Sequence, residues 1–533
     1  MSCYVIAVGG TGNKILESIV YAACADAFYT YDENGKCVPI RKLDMLSVDV
    51  DAACGNTTRA KCAAEYYEEV RQTFAASPYD HRCFHTALSV DRWSTDLSRR
   101  ASSVEKMAQN HQADKLLART LFSQTEMQLE YSEGFRGHPD LGVLFFADLL
   151  GSLDEARSAG LPDEFNALID RMQADINSGE TVKIILCGSI FGGTGASGIP
   201  AISKYLRRRF AAHSNQFVMG SMLMLPYYKV PPANVDETRE IAVDSDFFLD
   251  KARTALQYYG MESMIRDSDD DPNGLFDAVY LLGLPPEHFV STRIYSTGSQ
   301  SQENDAHMLE WLAARCVAQF MRTGFRGVHA HNIDCYYYQW HTPQFSWASF
   351  DEDSALYQAR YGALCKAAAV FFAECFPSLQ KLVSTHDRSS ARVPYCSAYF
   401  YRLRRMSAAQ RAQLESRLDA LYHFFAFYVN WMTQLIGAVP PGLRGSDRDG
   451  LPENGLFLAQ QLDTLMRILN NRTDEGTVQL EKSIERLIIN TVPDKRNMRR
   501  ILQGLGGGET APGPDGSLAA FLTALLGVVY EDD

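Results

Sequence analysis

"CGSIFGGTGASGIP", residues 187–200, is the stretch from which the fold of this chain can be read. Gly192, Gly193, Gly195 and Gly198 alternate with Thr194 and Ser197, after the apolar run "VKIIL" and before "AISKYLRRRF", which has the spacing of an amphipathic helix. A strand that ends in a donor-rich turn and then opens a helix is a place to hold phosphate. The first N–H groups of the helix have no internal partner, and its dipole favours an anion.

Composition frames that turn. At 533 residues, 46% hydrophobic and 22% charged, the chain resembles an ordinary globular protein of two or three domains. A formal net charge of −14 argues against direct nucleic-acid binding, whose phosphate contacts need basic surface. The 12 cysteines run from Cys3 to Cys396 without a CxxC pair or a zinc-like Cys/His cluster, so reduced thiols are expected. "MSCYVIAVGG" reads as a buried strand rather than a leader peptide, and a cytoplasmic location is expected. "LYHFFAFYVNWMTQLIGAV", 421–439, has no charged residue and approaches membrane-spanning length. It is interrupted by His423, Asn430, Thr433 and Gln434, and it continues a helix opened by a capping box of Ser407 and Gln410. A buried or interface helix is therefore expected, not a membrane span.

Along the chain, "CYVIAV", "LDMLSVDVD", "VKIIL", "FVMGSMLMLP" and "FDAVYLLGLP" read as strands separated by helical segments. "DFFLDKARTALQYYG" reads as a helix closed by Gly260, and "QENDAHMLEWLAARCVAQFM", 302–321, as a long buried helix. Residues 78–130 are polar without a strand signal and read as a helical insertion with loops. Strands alternating with helices predict a mostly parallel sheet with a ligand at the carboxyl ends of its strands. The remainder is richer in helix, with one aromatic strand, "CSAYFYRLRR".

Three glycine-rich loops fall at the same sheet edge: Gly9–Asn13, Gly134–Gly142 and Gly192–Gly198. "GGTGNK" is too short for a Walker A loop and lacks its lysine–hydroxyl pair. It also departs from the dinucleotide fingerprint, with Ile15 where a small residue belongs and Asp49 too far on for the ribose acid. An NAD-dependent oxidoreductase is thus the weaker alternative, and no catalytic His/Lys/Tyr arrangement supports it.

In order, the loops resemble those of the tubulin/FtsZ superfamily. "GGTGASG", with a strand before it and a helix and Pro200 after it, is similar to the family's signature GGGTGSG or GGGTGTG. "VIAVGGTGNKILESI" resembles the first nucleotide loop of FtsZ, "SVDVDAA" the acidic second loop, and "GHPDLG" the Asn-Pro-Glu-x-Gly of the third. The likeness covers about the first 340 residues and looks closer to divergent bacterial tubulin-like proteins than to eukaryotic tubulin.

The resemblance implies an α/β fold: a tubulin/FtsZ-like, Rossmann-type GTPase domain over 1–300, with a helical insertion at about 60–130. A central helix over 301–322 would lead to a second, helix-rich α+β C-terminal domain over 323–533. GTP or GDP would lie against Gly9, Gly10, Thr11, Gly12 and Asn13 on one side. Gly192, Gly193, Thr194, Gly195, Ala196, Ser197 and Gly198 would lie on the other, with hydroxyls from Thr194 and Ser197. Asp49 and Asp51 would hold Mg²⁺ through its waters, with solvated loop acids as the competing account. Arg136, Gly137 and His138 would face the terminal phosphate, although His138 also suits a solvated surface. Asn304 would read guanine or simply cap a helix. In "HNIDCYYY", Asn332 and Asp334 resemble the start of FtsZ's catalytic loop, with Tyr337 in place of the second acid. The strong β character of "IDCYYYQW" fits a plain strand equally.

The expectation is a GTP-binding protein that associates head-to-tail into a homo-oligomer or filament, hydrolysing GTP at the subunit interface. The alternative is a nucleotide-gated scaffold that does not polymerise and recruits a protein partner through its C-terminal region.

Overall fold

Strands buried on both faces suit a parallel sheet, and the apolar runs quoted above form one. In the computed structural model, β1 (Ser2–Val8), β2 (Lys42–Val48), β3 (Ala87–Arg92), β4 (Val182–Ser189), β5 (Phe217–Met224), β6 (Ala278–Leu282) and β7 (Cys335–Tyr337) make a seven-stranded sheet. Its order is β7-β6-β5-β4-β1-β2-β3 and every pairing is parallel. The structure describes residues 1–51, 54–75, 83–93, 102–110, 112–230, 245–261, 274–291, 304–322, 335–337, 354–385, 406–437, 504–505 and 514–529.

Parallel neighbours need crossover connections, usually helices. Here they include α1 (Gly9–Cys24), α2 (Gly55–Ala75), α3 (Pro139–Gly151), α4 (Glu164–Asn177), α5 (Gly193–Arg209), α6 (Phe248–Met261) and α7 (Met308–Arg322). The chain winds outward from β1 to β3 on one side and from β4 to β7 on the other. The order therefore reverses between β1 and β4, the place where open α/β sheets bind ligands. Every residue of α1 except Gly10 is buried, Lys14 and Glu17 included.

Three expectations shift. The stretch 78–130 does contain a strand, β3, paired with β2. It is an edge strand with only Leu88 buried, so its apolar signal is short and its polar residues misread as loop. The long helix starts at Met308 rather than 302, because the His307 ring and Glu310 close its N-terminus: Leu309 N–H donates to His307 Nδ1 at 3.1 Å and His307 N–H to Glu310 Oε2 at 2.8 Å. And α6 runs through Gly260 to Met261, since Gly260 does not adopt the left-handed conformation that ends helices. The aromatic segment 396–405 lies outside the described residues.

The C-terminal helices α8 (Ser354–Val370), α9 (Phe376–Thr385), α10 (Ala408–Gly437) and α11 (Pro514–Val529) share the core of the sheet domain. Leu414, Leu418, Leu421, Phe425, Tyr428, Met432 and Leu435 recur every three or four residues along α10 and are buried, a stripe facing the core. The Tyr21 ring of α1 lies 4.7 Å from Trp431 and 5.5 Å from Tyr428, contacts worth about 0.5–1.5 kcal/mol each beyond area burial. The Ser407–Gln410 capping box is present, with bonds of 2.9 and 3.2 Å. No helix among the described residues is long and apolar enough to cross a membrane. The uncharged segment in α10 owes its composition to this packing.

Candidate functional site

The reversal between β1 and β4 brings two helix N-termini together, α1 from one side and α5 from the other. Their first-turn N–H groups lack intrahelical acceptors. Gly9 takes φ +75°, where only glycine is at ease, and a Cβ added there would stand 3.2 Å from Thr194 Cβ, so the two turns touch. Gly12 lets α1 sit on the sheet: a Cβ would meet Cys187 O at 2.6 Å and Ala7 C at 2.9 Å.

Helix periodicity divides the residues expected to face a ligand. Gly9, Gly10, Thr11, Gly192, Gly193, Thr194 and Gly195 lie in or just before the first turns. Gly12 and Asn13, like Ala196, Ser197 and Gly198, lie farther in. The Asn13 amide is fully buried, donating to Gly9 O at 3.1 Å and accepting from Ser47 Oγ at 2.6 Å. The Ser197 hydroxyl donates to Gly193 O at 2.8 Å and packs beneath Gly142, where a Cβ would overlap it. A Cβ on Gly198 would meet Val8 and Phe146 at 2.8 Å. The side chains of Asn13 and Ser197 thus brace the two turns from below.

The second and third loops close on this pair. Gly134, at φ +74°, lies where a Cβ would be 3.7 Å from Asp51 Cβ, and a Cβ on Gly193 would be 2.7 Å from Phe135 Cβ and 3.3 Å from Gly137 N. Arg136 (φ +44°) and Gly137 (φ +81°) continue the left-handed path. Such a conformation is rare for a long side chain and marks a shape held by its surroundings. Lys251 Nζ holds the Gly137 carbonyl at 2.9 Å. His138 precedes α3, its Nδ1 3.2 Å from Glu126 Oε1. Asp49 is enclosed just past β2 and accepts from Asp51 N–H at 3.3 Å. Burial, with the Asp51 charge second, pushes the Asp49 carboxyl up to about 7.

Asn304 joins the same edge through a residue that sequence spacing does not reveal. Asn56, whose Nδ2 would lie 3.5 Å from a Cβ on Gly10, accepts the Asn304 N–H at 3.1 Å. Arg59 donates to the Asn304 carbonyl at 3.1 Å and to Glu17 at 2.8 Å. Because α7 begins at Met308, Asn304 does not cap it. Its side-chain Oδ1 is buried without a hydrogen-bond partner.

A second buried chain runs from α1 to α7. Tyr227 donates to Glu310 Oε1 at 2.5 Å. Lys14 Nζ lies 2.5 Å from the same oxygen. Burial raises the Glu17 carboxyl and lowers His307 to about 3, so His307 is neutral and its Nδ1 can accept. Sequence reasoning missed Asn56, Arg59, Tyr227 and Glu310. For Glu310 the charge inside the otherwise apolar "MLEWLAARC" was the available signal; Asn56, Arg59 and Tyr227 had none. Asn332 and Asp334 lie outside the described residues; β7 begins at Cys335, so residues 335–337, including Tyr337, are strand.

Residues 4–245 match the protein-family model described as "Tubulin like". That segment holds β1 to β5 and all four edge loops, and over it the chain is similar to tubulin-like proteins. Among solved structures, the chain is similar to a GTPγS-bound protofilament of CetZ2 from Haloferax volcanii, at 12% identity and a TM-score of 0.26. That likeness covers 60% of this chain and 56% of the CetZ2 chain. No curated protein matches.

Proposed function

We propose that the protein binds GTP or GDP at the carboxyl edge of its sheet and associates head-to-tail with further copies of itself. The observation that carries this is the meeting of the α1 and α5 N-termini at the strand-order reversal, with the third loop packed against both. Phosphates accept the free N–H groups of Gly9 to Thr11 and Gly192 to Gly195, where glycine permits close approach. The orphaned Oδ1 of Asn304 accepts from a base, and guanine offers N–H donors on its Watson–Crick edge. Asp49 and Asp51 fit Mg²⁺, a hard cation that takes carboxylates together with phosphate oxygens. When bound, that ion supplies charge neutralisation at the phosphates. Arg136 and His138 bring positive or hydrogen-bonding groups to the terminal phosphate from the third loop.

Turnover then requires a second copy. Cys335 pairs with Val279, which through β5 and β4 is in register with Ile6, three residues short of Gly9. Three strand spacings of about 4.8 Å separate β7, which begins at Cys335, from β4 and the glycine turn that follows it. Asp334 serves the loops of a neighbouring copy, orienting water there with Asn332. A head-to-tail contact of this kind propagates into a filament when its rotation does not close. The strand at 335–337, with Tyr337 in place of a second acid, favours a second reading, a scaffold that binds nucleotide without turnover and recruits a partner through the C-terminal helices.

Right-angle light scattering with Mg²⁺ and GTP, GDP or ATP, with phosphate release followed in the same sample, tests this. A GTP-specific rise that decays as phosphate appears, and persists in Asp334→Ala, is expected. Tight GTP binding without a rise rejects the filament and leaves the scaffold; binding of NAD in place of GTP rejects both.

A further inference from the structure

The uncharged segment of α10 contains one polar side chain that packing alone does not explain. Gln434 Oε1 accepts the N–H of Ala306 at 2.9 Å, and Ala306 is almost wholly enclosed. Ala306 lies two residues after Asn304 and one before His307. Residues 304–307 are outside any helix or strand, yet their backbone is held by side chains at 304, 306 and 307. Asn56 and Arg59 on α2 take the backbone N–H and C=O of Asn304, Gln434 on α10 takes the N–H of Ala306, and Glu310 on α7 takes that of His307. Glu310 is in turn bound to Tyr227 and to Lys14, which stands on α1 three residues beyond Thr11 of the first glycine turn. The segment therefore joins the phosphate edge, the base-facing Asn304 and a C-terminal helix.

We propose that α10 senses nucleotide occupancy through Gln434: a bound nucleotide sets the position of residues 304–307, and the Gln434–Ala306 bond carries that position into the C-terminal helices. Gln434 is a positioning residue, acting through a backbone amide. An apolar side chain of similar length would take the same half-buried place on α10 while leaving the enclosed Ala306 N–H unpaired. One amide in an otherwise apolar interface fixes register in the way buried polar groups do in helical assemblies. The proposal rests on the nucleotide reading above.

Hydrogen exchange of the α10 amides in the full chain, with and without saturating Mg²⁺–GTP, reads this directly, with affinity measured in parallel by a fluorescent GTP analogue. In the natural protein GTP is expected to slow exchange across 425–437 on the order of fivefold, the factor carried by one net hydrogen bond. Gln434→Met, similar in shape but without the acceptor, should bind GTP within about threefold of the natural affinity and lose the slowing; Gln434→Glu, which keeps an acceptor oxygen, should retain it. Unchanged exchange in the natural protein at saturation, or equal slowing in Gln434→Met, overturns the proposal while leaving nucleotide binding intact. Failure of the natural protein to bind GTP overturns both. Should Gln434→Met not fold, Gln434→Ala gives the same comparison.

Discussion

Asn304→Leu should move two quantities in opposite directions. Asn304 is 7% exposed and its Oδ1 is enclosed without a partner. An unpaired buried acceptor costs about 1–3 kcal/mol, so a leucine of similar volume should stabilise the nucleotide-free protein by about 1 kcal/mol, the remainder being offset by its branched shape. The backbone at 304 keeps its bonds to Asn56 and Arg59 in the variant, because those use N–H and C=O. Guanine donors that face a leucine in place of Oδ1 are enclosed without an acceptor, at about 1–3 kcal/mol, so the variant should bind GTP roughly fivefold to a hundredfold more weakly. Denaturant unfolding without nucleotide and calorimetric titration with GTP read the two effects. A destabilised nucleotide-free variant with GTP affinity within twofold of the original would show that Asn304 is a packing residue, and the base-reading role would fall.

Further outcomes follow from the bracing around the glycine edge. Asn13→Ala leaves Ser47 Oγ without its acceptor and removes the side-chain bond to the Gly9 carbonyl, and should cost about 1–3 kcal/mol in denaturant unfolding with or without nucleotide; a loss seen only with nucleotide present would return Asn13 to the ligand. In Gly195→Ala the new Cβ would overlap the Ser189 carbonyl and stand 3.0 Å from its amide nitrogen, so about 1–3 kcal/mol of stability and most GTP binding should be lost. Gly151→Ala, which meets nothing within 4 Å, should be neutral or slightly stabilising. Lys183 gives a pH test of the core. Burial lowers its ammonium from 10.5 to about 8, while Nζ donates to Met321 O at 2.8 Å and Phe320 O at 3.3 Å. Between pH 8 and 10.5 the unfolded chain holds the proton that the folded one has released, so stability rises with pH, by up to about 3 kcal/mol. The difference in unfolding free energy between the natural protein and Lys183→Met should show that rise, and a flat difference over the same range would remove the buried-ammonium argument.

The parallel sheet is legible because its inner strands are unbroken apolar runs, and the turns at Gly9 and Gly193 because each run ends in glycine and passes into helical spacing. β3 escapes since an edge strand with one buried position carries little pattern. Asn13 and Ser197 are assigned to a ligand when the glycine segments are read as open loops. Once the helices are seen to begin at Gly9 and Gly193, the 3.6-residue period turns both side chains inward. Asn56 and Asn304 are 248 residues apart in the chain, and Arg59 and Glu17 are 42 apart. No local spacing announces such pairs.

The buried charges near the first turn have a consequence for how that turn is held. Lys14, Glu17, Arg59 and Glu310 are two cations and two acids, each at most 6% exposed. Enclosing them costs several kcal/mol per ion before their mutual attraction is counted, so ion pairs of this kind are poor sources of net stability. Their directionality is the better account. An apolar seam between α1 and α7 would tolerate sliding, whereas Lys14 on Glu310 and Arg59 on both Glu17 and Asn304 allow one register. Since Lys14 stands three residues beyond Thr11 on the same helix, fixing that register also fixes the N–H groups of Gly9, Gly10 and Thr11 at the edge where the phosphates are proposed to lie.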